Sequence, residues 1–293
     1  MFTFLLYPAT SRNNNDGKSL DKNKQNKLTL VVLIMTAPGN QVRRDAIRHT
    51  WASKLPVAQS RVYFVLGSQN LDKVLLRNIF SEQQTNADMI ILDNIKDSYF
   101  KLTEKIVEGI SVVLERHNVT YIMKCDDDTF IDSVKLFEKL NTLPASKLYW
   151  GYFTGAARVK TQGQWAEPNY HLCDRYLPYA RGGGYVLTQD LAQYILTNRN
   201  LLQMYNSEDV TIGIWLAPLD ITRLHDVGFD TEAKSRGCLN HHIVSHKQTV
   251  NDMTSKHESL ENTGRLCARE VVYKKEYIYN WGVPPSQCCT IEI

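Results

Sequence analysis

Apolar and polar positions along the first half of the chain follow two alternating patterns, one typical of buried strands and one typical of amphipathic helices. Short apolar runs predict strands at residues 30–36, 61–66, 89–92 and 121–124. Apolar residues at helical spacing predict helices at residues 41–51, 71–85, 99–115 and 133–140. Because strands and helices alternate, the sequence predicts an α/β fold with a mostly parallel central sheet flanked by helices, in a single domain.

The amino end of the chain differs from the rest in composition. Residues 8–27 are polar and rich in Asn and Lys, so they cannot offset the entropy cost of becoming ordered. We expect residues 1–27 to be a disordered stem or leader remnant and residues 28–293 to form the folded domain. The apolar run at residues 28–37 is far shorter than the roughly 20 residues of a membrane span and predicts a buried first strand. A membrane anchor, if the protein has one, is expected to lie outside this chain.

The overall composition is that of an ordinary globular protein and argues against one class of partner. The 293 residues are 43% hydrophobic and 22% charged, and 34 basic against 31 acidic residues give a net charge of +3. No block of Lys and Arg interleaves with aromatic residues, as a nucleic-acid groove requires. We therefore expect no nucleic-acid partner.

Six cysteines and a glycosylation sequon bear on the cellular compartment. None of the cysteine spacings forms the Cys-x-x-Cys pair that zinc sites use, so we do not expect a zinc ribbon. The even count and the sequon at Asn118 are compatible with an oxidising compartment in which Asn118 is glycosylated. The pairing of the cysteines stays open, except that adjacent Cys288 and Cys289 are not expected to pair with each other.

The segment with the clearest chemistry is an acidic triplet at the carboxyl end of a predicted strand, where ligands bind in such sheets. Asp126, Asp127 and Asp128 repel one another and destabilise the fold unless a cation or strong donors neutralise them. Carboxylate oxygens suit Mg²⁺ or Mn²⁺, and a diphosphate can supply further ligands. Because side chains alternate along an extended chain, we expect Asp126 and Asp128 to face one side and Asp127 to point elsewhere. The alternative is a solvated acidic turn that caps the following helix.

A second acidic pair, Glu208 and Asp209, lies between two largely apolar stretches. A hydroxyl group is a poor nucleophile, so a transfer reaction onto a hydroxyl needs a carboxylate that takes its proton. Asp209 or Glu208 is a candidate for that base. The alternative is a helix N-terminus capped by Ser207, in which acidic residues are favoured by the helix dipole.

Two further segments carry weaker indications. Residues 182–184 are three glycines, which permit a ligand to approach the backbone closely, although a plain turn explains them as well. Arg43, Arg44 and Arg48 lie on a predicted helix after the first strand, where a guanidinium can meet a phosphate. For any one of these arginines the alternative is a solvated helical face.

One histidine and several aromatic residues complete the candidates. His246 closely follows an apolar residue pair and can complete a metal site. The chain has eight histidines, however, and any single histidine is seldom a metal ligand. Trp165 and Tyr179 are among the candidate stacking surfaces for a ligand, although most aromatic side chains pack in cores.

Six motifs in fixed order together resemble the β-1,3-galactosyltransferase family, glycosyltransferase family 31. They are RDAIRHTW (44–51), FVLG (64–67), DSYFKLT (97–103), KCDDD (124–128), YLPYARGGGY (176–185) and EDV (208–210). Six motifs spread over residues 28–289 are far more specific than any one alone. The C-terminal half is most similar to the member that adds the second galactose of the proteoglycan linkage region, through runs such as WLAP (215–218) and WGVPPSQCC (281–289). One departure is Lys101, where the family motif has Asn.

The resemblance implies a GT-A fold and the transfer of galactose from UDP-galactose to the 3-hydroxyl of a galactosyl-β-1,4-xylose acceptor, with inversion and with Mn²⁺ as cofactor. It implies that Asp128 binds Mn²⁺ with Asp126 and His246, and that Asp209 is the catalytic base. The residues expected to bind the nucleotide are Arg44, Arg48, Lys124, Asp126, Asp127, Gly183 and Gly184. The residues expected to bind the acceptor are Trp165, Tyr179 and Glu208.

The resemblance also implies a cellular setting and leaves two alternatives open. It implies a type II membrane protein of the Golgi lumen whose acceptor glycan is carried by a proteoglycan core protein. One alternative keeps the fold but uses another UDP-sugar or acceptor, such as N-acetylglucosamine transfer in glycoprotein or glycolipid synthesis. The other is a non-catalytic relative that binds glycans. Such a relative is expected to lack either a metal-binding carboxylate or the carboxylate that acts as the catalytic base. In this chain Asp126, Asp128 and Asp209 are all present.

Overall fold

A computed structural model describes residues 27–289, which form a central sheet with helices on both faces. In chain order the strands are β1 (Leu28–Met35), β2 (Ser60–Gly67), β3 (Met89–Leu92), β4 (Val119–Asp126), β5 (Phe130–Ile131), β6 (Leu148–Thr154), β7 (Tyr179–Thr188), β8 (Thr222–His225), β9 (Phe229–Asp230), β10 (Gly237–Cys238), β11 (Val244–Ser245) and β12 (Val271–Val272). The α-helices are α1 (Gln41–His49), α2 (Lys73–Asn86), α3 (Leu102–Arg116), α4 (Ser133–Leu140), α5 (Gln189–Asn198), α6 (Glu208–Leu216) and α7 (Val250–Thr263). Short 3₁₀ turns lie at Trp51–Lys54, Tyr99–Lys101 and Pro285–Gln287.

The main sheet has seven strands in the order β3-β2-β1-β4-β7-β6-β8. Every neighbouring pair is parallel except the two pairs that β7 makes, one with β4 and one with β6. The prediction of an α/β domain with a mostly parallel sheet flanked by helices is therefore confirmed. Two smaller sheets join β5 and β9 to β11, and β10 to β12.

The central strand β1 shows why continuous apolar runs mark the middle of this sheet. All of its residues except Thr29 are buried. Its side chains alternate between two apolar cores, one taking Leu30, Val32 and Ile34 and the other taking Val31, Leu33 and Met35. A parallel strand covered by helices on both faces has no solvated side, so its sequence is apolar throughout. The register of β1 is fixed because a slip of one residue would exchange the two sets.

Helices cover the two faces of the sheet with different apolar side chains. The first core also contains Ile47 of α1, Ile79 of α2, Leu136 of α4 and Met253 of α7. The second core also contains Ile106 of α3, Leu191 of α5 and Ile212 of α6. Because each buried aliphatic side chain contributes about 1.5–3 kcal/mol, these two layers hold the sheet rigid beneath its carboxyl end.

The predicted elements of the first half agree closely with the structure. Strand β3 and helix α4 match their predicted residues at both ends. The helix predicted at residues 41–51 ends at His49, because Thr50 leaves helical geometry and a 3₁₀ turn begins at Trp51. The helix predicted at residues 99–115 begins as a 3₁₀ turn and becomes α-helical at Leu102.

The sequence predicts a polar leader at the amino end and no membrane span. Apart from Lys27, the predicted leader at residues 1–27 lies outside the described residues. Within residues 27–289, no helix combines the length and the apolar character that crossing a membrane requires.

Two disulfides are present between the described cysteines. Cys238 of β10 pairs with Cys267, and Cys288 pairs with Cys289. The expectation that the adjacent cysteines do not pair is wrong, since the 3₁₀ turn that ends at Gln287 leads into a bend that brings their sulfurs together.

A buried ion pair joins α1 to α2. Arg44 is fully buried, and its Nε and Nη2 donate to the two carboxylate oxygens of Glu82 at 2.7 and 2.6 Å. Its remaining donors reach the carbonyls of Ala37 and Pro38 in the loop after β1. Arg48 reaches the same Glu82 carboxylate at 2.8 Å. The structure therefore corrects the expectation that Arg44 and Arg48 face a nucleotide, because their guanidinium groups are taken up by carboxylates inside the helical layer.

Replacing Arg44 should destabilise the protein strongly. In Arg44→Ala the Glu82 carboxylate keeps only part of its charge compensation, and the loop carbonyls lose their donors. Breaking a buried pair by removing one partner costs about 3–5 kcal/mol. Urea unfolding followed by circular dichroism measures the loss, and Arg77→Ala on the exposed face of α2 serves as the control. Equal stability of the two variants would contradict a structural role for Arg44.

Candidate active site

The candidate site lies where β4 ends, beside the end of β1. Asp126 is the last residue of β4 and is paired with Met35, the last residue of β1. The backbone N–H of Asp127 donates to the Met35 carbonyl, so the acidic segment starts in register with the sheet. Ligands of parallel sheets bind at such carboxyl ends, as the sequence predicted for Asp126.

Asp126, Asp128 and His246 form a cluster of possible metal ligands. One ligand atom from each lies within 4.8 Å of the others. The Nε2 atom of His246 is 2.9 Å from Asp128 Oδ1 and 3.3 Å from Asp126 Oδ2. Although these distances are short, the groups are not aligned for hydrogen bonds, and buried Asp128 Oδ1 and His246 Nε2 have no such partner among the described residues. Two carboxylates and an imidazole converging on one point are a donor set that fits Mn²⁺.

Asp127 points away from this cluster, as the alternation along the chain predicted. Its carboxylate accepts hydrogen bonds from Thr36 Oγ1 at 2.7 Å, from Asn40 Nδ2 at 2.8 Å and from Arg43 Nη1 at 3.0 Å. These three donors come from the loop and first turn that follow β1. Asp127 therefore ties that loop to the acidic segment rather than facing the cluster of Asp126, Asp128 and His246.

Lys124, two residues before Asp126 on β4, places a buried charge between two acidic groups. Its Nζ lies 2.8 Å from Asp126 Oδ1 and 3.1 Å from Glu208 Oε1, and it donates to the Gly182 carbonyl. Burial opposes the charge of Lys124, but the carboxylates of Asp126 and Glu208 outweigh burial and raise its pKa. Burial raises the pKa of Asp126, but Lys124 and His246 together more than reverse this effect, so the carboxyl pKa falls well below its usual range.

Two carboxylates at the N-terminus of α6 face the same strand but differ in access. Glu208 is only 4% exposed and pairs with Lys124, whereas Asp209 is partly exposed and accepts a hydrogen bond from the Gly182 N–H at 2.9 Å. Burial raises the pKa of Glu208 to about 7, although Lys124 opposes the shift. Burial raises the pKa of Asp209 as well, opposed by Lys124 and by backbone N–H groups. Asp209 is therefore the carboxylate that a substrate can reach.

The three glycines of β7 make room for these side chains. A Cβ atom at Gly183 would stand 2.5 Å from the ring of His246, and one at Gly182 would stand 3.0 Å from Glu208 Oε2. A Cβ at Gly184 would meet a Val244 methyl group at 3.0 Å. None of the three has a positive φ. The glycines therefore admit the possible metal ligand and the α6 carboxylates, which is a closer constraint than the turn that the sequence also allowed.

Two cations at the cluster, Arg43 and Lys247, were not among the residues expected to bind the nucleotide or the metal. The Arg43 side chain is 42% exposed and lies 3.9 Å from Asp128 as well as contacting Asp127. The Lys247 side chain is 50% exposed, with its Nζ 3.4 Å from Asp128 Oδ2 and a backbone φ of 62°. Arg43 was recognisable as one of three arginines on α1. Nothing in the sequence marked Lys247 beyond its position next to His246.

The three predicted acceptor-binding residues lie on the segment between β6 and β7, at the start of β7 and at the start of α6. Trp165 is 50% exposed. Two residues later, the buried carboxylate of Glu167 accepts hydrogen bonds from the backbone N–H groups of Asn206 and Ser207, which ties this segment to the start of α6. Tyr179 is buried in an aromatic cluster with Tyr170, Tyr176, Tyr205 and Val210. Tyr179 therefore supports the wall beside Asp209 rather than offering a free ring face.

The remaining predicted residue, Asn118, lies at the end of β4 opposite the cluster. Asn118 is partly exposed and immediately precedes β4, whose other end carries Asp126. A glycan at Asn118 would therefore be attached at the amino end of β4, at the opposite end of the strand from the cluster.

Comparison with known proteins shows which protein family this sequence matches. Residues 42–227 match the sequence model of the family described as Galactosyltransferase. The chain is 41% identical to β-1,3-galactosyltransferase 6 of Mus musculus, over 98% of this chain and 91% of that protein. It is 30% identical to β-1,3-galactosyltransferase 1 of Mus musculus, over 80% of this chain and 77% of that protein. It is 29% identical to UDP-GalNAc:β-1,3-N-acetylgalactosaminyltransferase 2 of Xenopus tropicalis, over 66% of this chain and 39% of that protein.

A methyl group at residue 183 should disturb the possible metal site without unfolding the protein. In Gly183→Ala the new Cβ forces the His246 ring to move, since the two would be 2.5 Å apart. Disturbing the support of a metal ligand typically costs about 10- to 100-fold in affinity. Calorimetric titration with Mn²⁺ measures this loss. Gly282→Ala is the control, because its Cβ meets nothing nearer than the Asn280 side chain at 3.3 Å. A folded Gly183→Ala protein with unchanged Mn²⁺ affinity would remove His246 from the metal site.

Proposed function

The chain belongs to the galactosyltransferase family, and we propose that it transfers galactose from UDP-galactose to the 3-hydroxyl of a galactosyl-β-1,4-xylose acceptor. The observation that carries the proposal is the arrangement of two acidic groups around one strand. The cluster of Asp126, Asp128 and His246 lies on one side of the β7 glycines, and the partly exposed Asp209 lies on the other. A leaving diphosphate and an attacking hydroxyl need neighbouring but separate positions of this kind.

Mn²⁺ is the proposed cofactor, held by Asp126, Asp128 and His246. The fit is supported by the convergence of their ligand atoms and because, within residues 27–289, Asp128 Oδ1 and His246 Nε2 have no hydrogen-bond partners. When bound, the ion supplies Lewis-acid stabilisation of negative charge on a phosphate. Asp127 and Lys124 support the cluster, because Asp127 fixes the loop after β1 and Lys124 neutralises Asp126.

Arg43 and Lys247 are the proposed contacts to the diphosphate. Both are exposed cations beside Asp128, and both can turn from that carboxylate towards an anionic ligand. A positive φ at Lys247 is uncommon for a residue with a side chain and suggests that the position of this ammonium group is functionally constrained.

Asp209 is the proposed base of a single displacement with inversion. The acceptor hydroxyl gives its proton to the Asp209 carboxylate while its oxygen forms a bond to the anomeric carbon of galactose. The bond from that carbon to the β-phosphate oxygen breaks, and UDP leaves with the bonding electrons. The raised pKa of Asp209, caused by burial, improves it as a proton acceptor, and the Gly182 N–H fixes one of its oxygens. Glu208 is the weaker candidate because it is buried against Lys124.

The same proposal covers the fold family, the acceptor side and the cellular setting. We propose a GT-A fold for residues 28–293, with Trp165 on the acceptor side and with Gly183 and Gly184 next to the nucleotide. Glu208, which was expected on the acceptor side, is instead buried against Lys124. We further propose residence in the Golgi lumen as a type II membrane protein, a proteoglycan core protein as carrier of the acceptor, and glycosylation at Asn118.

A donor and acceptor assay separates this function from its relatives. Residues 28–293 are incubated with Mn²⁺, a panel of UDP-sugars, and either galactosyl-β-1,4-xyloside or an N-acetylglucosaminide. Transfer of galactose to the xyloside is the expected result. Preference for UDP-N-acetylgalactosamine, the donor named for the Xenopus relative, or for the other acceptor would move the chain elsewhere in the family. Absence of transfer with intact glycan binding would favour a non-catalytic relative.

Neutralising Asp128 and neutralising Asp209 should impair different properties of the protein, UDP binding in the first case and the transfer step alone in the second. Asp128→Asn should abolish transfer and weaken UDP binding in the presence of Mn²⁺, because it removes a ligand. Asp209→Asn should lower kcat by about 10²–10⁴-fold and leave UDP affinity nearly unchanged, because it removes only a base. Product chromatography and UDP calorimetry measure the two effects, with the fully exposed Asp220→Asn as the control. If Asp209→Asn lost UDP affinity as severely as Asp128→Asn, the base assignment would fail.

Removing the ammonium group of Lys247 should raise the KM for the donor and leave the KM for the acceptor unchanged. At saturating Mn²⁺, Lys247→Ala should raise the KM for UDP-galactose about tenfold, because one charge-assisted hydrogen bond is lost. Lys247→Arg should recover most of the lost donor affinity. Initial rates at varied donor and varied acceptor give the two KM values. Lys139→Ala, which removes a similarly exposed ammonium group, is the control. An unchanged donor KM in Lys247→Ala would exclude this residue from the diphosphate site.

A further inference from the structure

The segment between β6 and β7, residues 155–178, lies outside the main sheet and is closed on itself by backbone contacts. A β-bridge joins Arg158 to Arg175 at its base. Nearer its tip, the N–H of Glu167 donates to the carbonyl of Lys160 at 2.8 Å. The segment therefore has a defined shape of its own, and a single anchor can fix its position on the domain.

One buried carboxylate supplies such an anchor, at the chain just before α6. Glu167 is only 3% exposed. Its Oε2 accepts a hydrogen bond from the Asn206 N–H at 2.9 Å, and its Oε1 accepts one from the Ser207 N–H at 2.5 Å. In the opposite direction, Asn206 Nδ2 donates to the Ala166 carbonyl at 2.7 Å. These hydrogen bonds join two adjacent residues of the segment to two adjacent residues at the start of α6.

The same hydrogen bonds lie directly before the proposed base. Ser207 is the N-cap of α6, and Asp209 is the second residue of the helix. The Ser207 hydroxyl makes no capping hydrogen bond, so it does not fix the helix start in the usual way. Glu167 holds the backbone two residues before Asp209, and the Gly182 N–H holds the Asp209 carboxylate at 2.9 Å. The direction of that carboxylate therefore depends on both contacts.

We propose that Glu167 is a positioning residue that keeps the acceptor side of the site in register with the proposed base. Through the Ser207 N–H it fixes the backbone that carries Asp209. Through its own backbone it fixes the segment that carries the exposed ring of Trp165. The inference rests on the proposed function, to which it adds a residue that acts through others rather than on a substrate. A misplacement of about 1 Å at reacting groups can lower a rate about 10²-fold.

A carboxylate is required at this position because both of its oxygens accept from backbone N–H groups. The amide of glutamine has nearly the same shape, but it has one acceptor oxygen and its NH₂ group is a donor. In Glu167→Gln one N–H group, that of Asn206 or that of Ser207, would therefore face another donor. A buried donor without an acceptor is costly, so the segment and the start of α6 are expected to shift apart.

Kinetics of Glu167→Gln test the coupling. At saturating Mn²⁺ the variant should lower kcat about tenfold or more and raise the KM for galactosyl-β-1,4-xyloside about tenfold, because the base and the acceptor side are both displaced. The KM for UDP-galactose should change less than about twofold, since Lys124 and the metal cluster keep their contacts. Glu258→Gln, at an exposed position of α7, is the control. Unchanged kcat and acceptor KM, or an equal rise of the donor KM, would overturn the proposal.

Hydrogen exchange tests the same contact without relying on transfer. In ligand-free Glu167→Gln, the peptide that contains the Asn206 and Ser207 N–H groups should exchange faster than in the wild-type protein. Unchanged exchange would exclude Glu167 as the anchor.

A milder variant remains informative if Glu167→Gln does not fold. Asn206→Ala keeps both backbone N–H groups and removes only the hydrogen bond to Ala166. It should raise the acceptor KM with a smaller effect on kcat, because the segment loses one tie while the helix start keeps its own. An unchanged acceptor KM in Asn206→Ala would count against the coupling.

Failure of the proposed function can be told apart from failure of this inference. If the wild-type protein transfers galactose to a different acceptor, the proposed function fails in its acceptor, and the same comparison with that acceptor decides the role of Glu167. If it transfers no sugar, the exchange rates and calorimetric binding of the xyloside in the presence of UDP and Mn²⁺ decide that role.

Discussion

The buried ammonium group of Lys124 is the interaction on which the rest of the site depends. It bonds to Asp126 on its own strand, to Glu208 at the start of α6 and to the Gly182 carbonyl on β7. These three contacts fix the relative positions of β4, β7 and α6. Without the ammonium group, two carboxylates would face each other in a buried space, which costs several kcal/mol per uncompensated charge. The spacing between the proposed metal ligands and the proposed base therefore follows from one buried cation.

The three residues of the acidic triplet have different contacts because side chains alternate along an extended chain. Asp126 and Asp128 turn towards His246, and Asp127 turns towards the loop after β1. Asp127 is satisfied by three protein donors, so it needs no metal ion. Asp128 Oδ1 and His246 Nε2 have no hydrogen-bond partner in the part of the chain that the structure describes, so these atoms are available to a metal ion. Neighbouring residues of the same type thus have a structural role at Asp127 and a proposed metal-binding role at Asp126 and Asp128.

Much of the fold and part of the site followed from local sequence patterns. The strands were predictable because β1 and β3 are buried on both faces, and the turn of Asp127 away from Asp126 followed from the strand period. The direction of Arg44 was not predictable, since its partner Glu82 lies 38 residues away on another helix. The role of Gly183 was hidden for the same reason, because the ring that requires it belongs to His246. Contacts between distant segments leave no periodic trace in the sequence.

The proposed metal site combines residues from two parts of the chain. The acidic triplet and the β7 glycines belong to the region matched by the family, residues 42–227. His246 comes from the region after it, where β11 pairs with β5 and the His246 ring lies against Gly183. Asp126 and Asp128 therefore gain their third possible ligand only when this later segment packs onto β7, while Lys124 holds Asp126 and Glu208 from within the matched region.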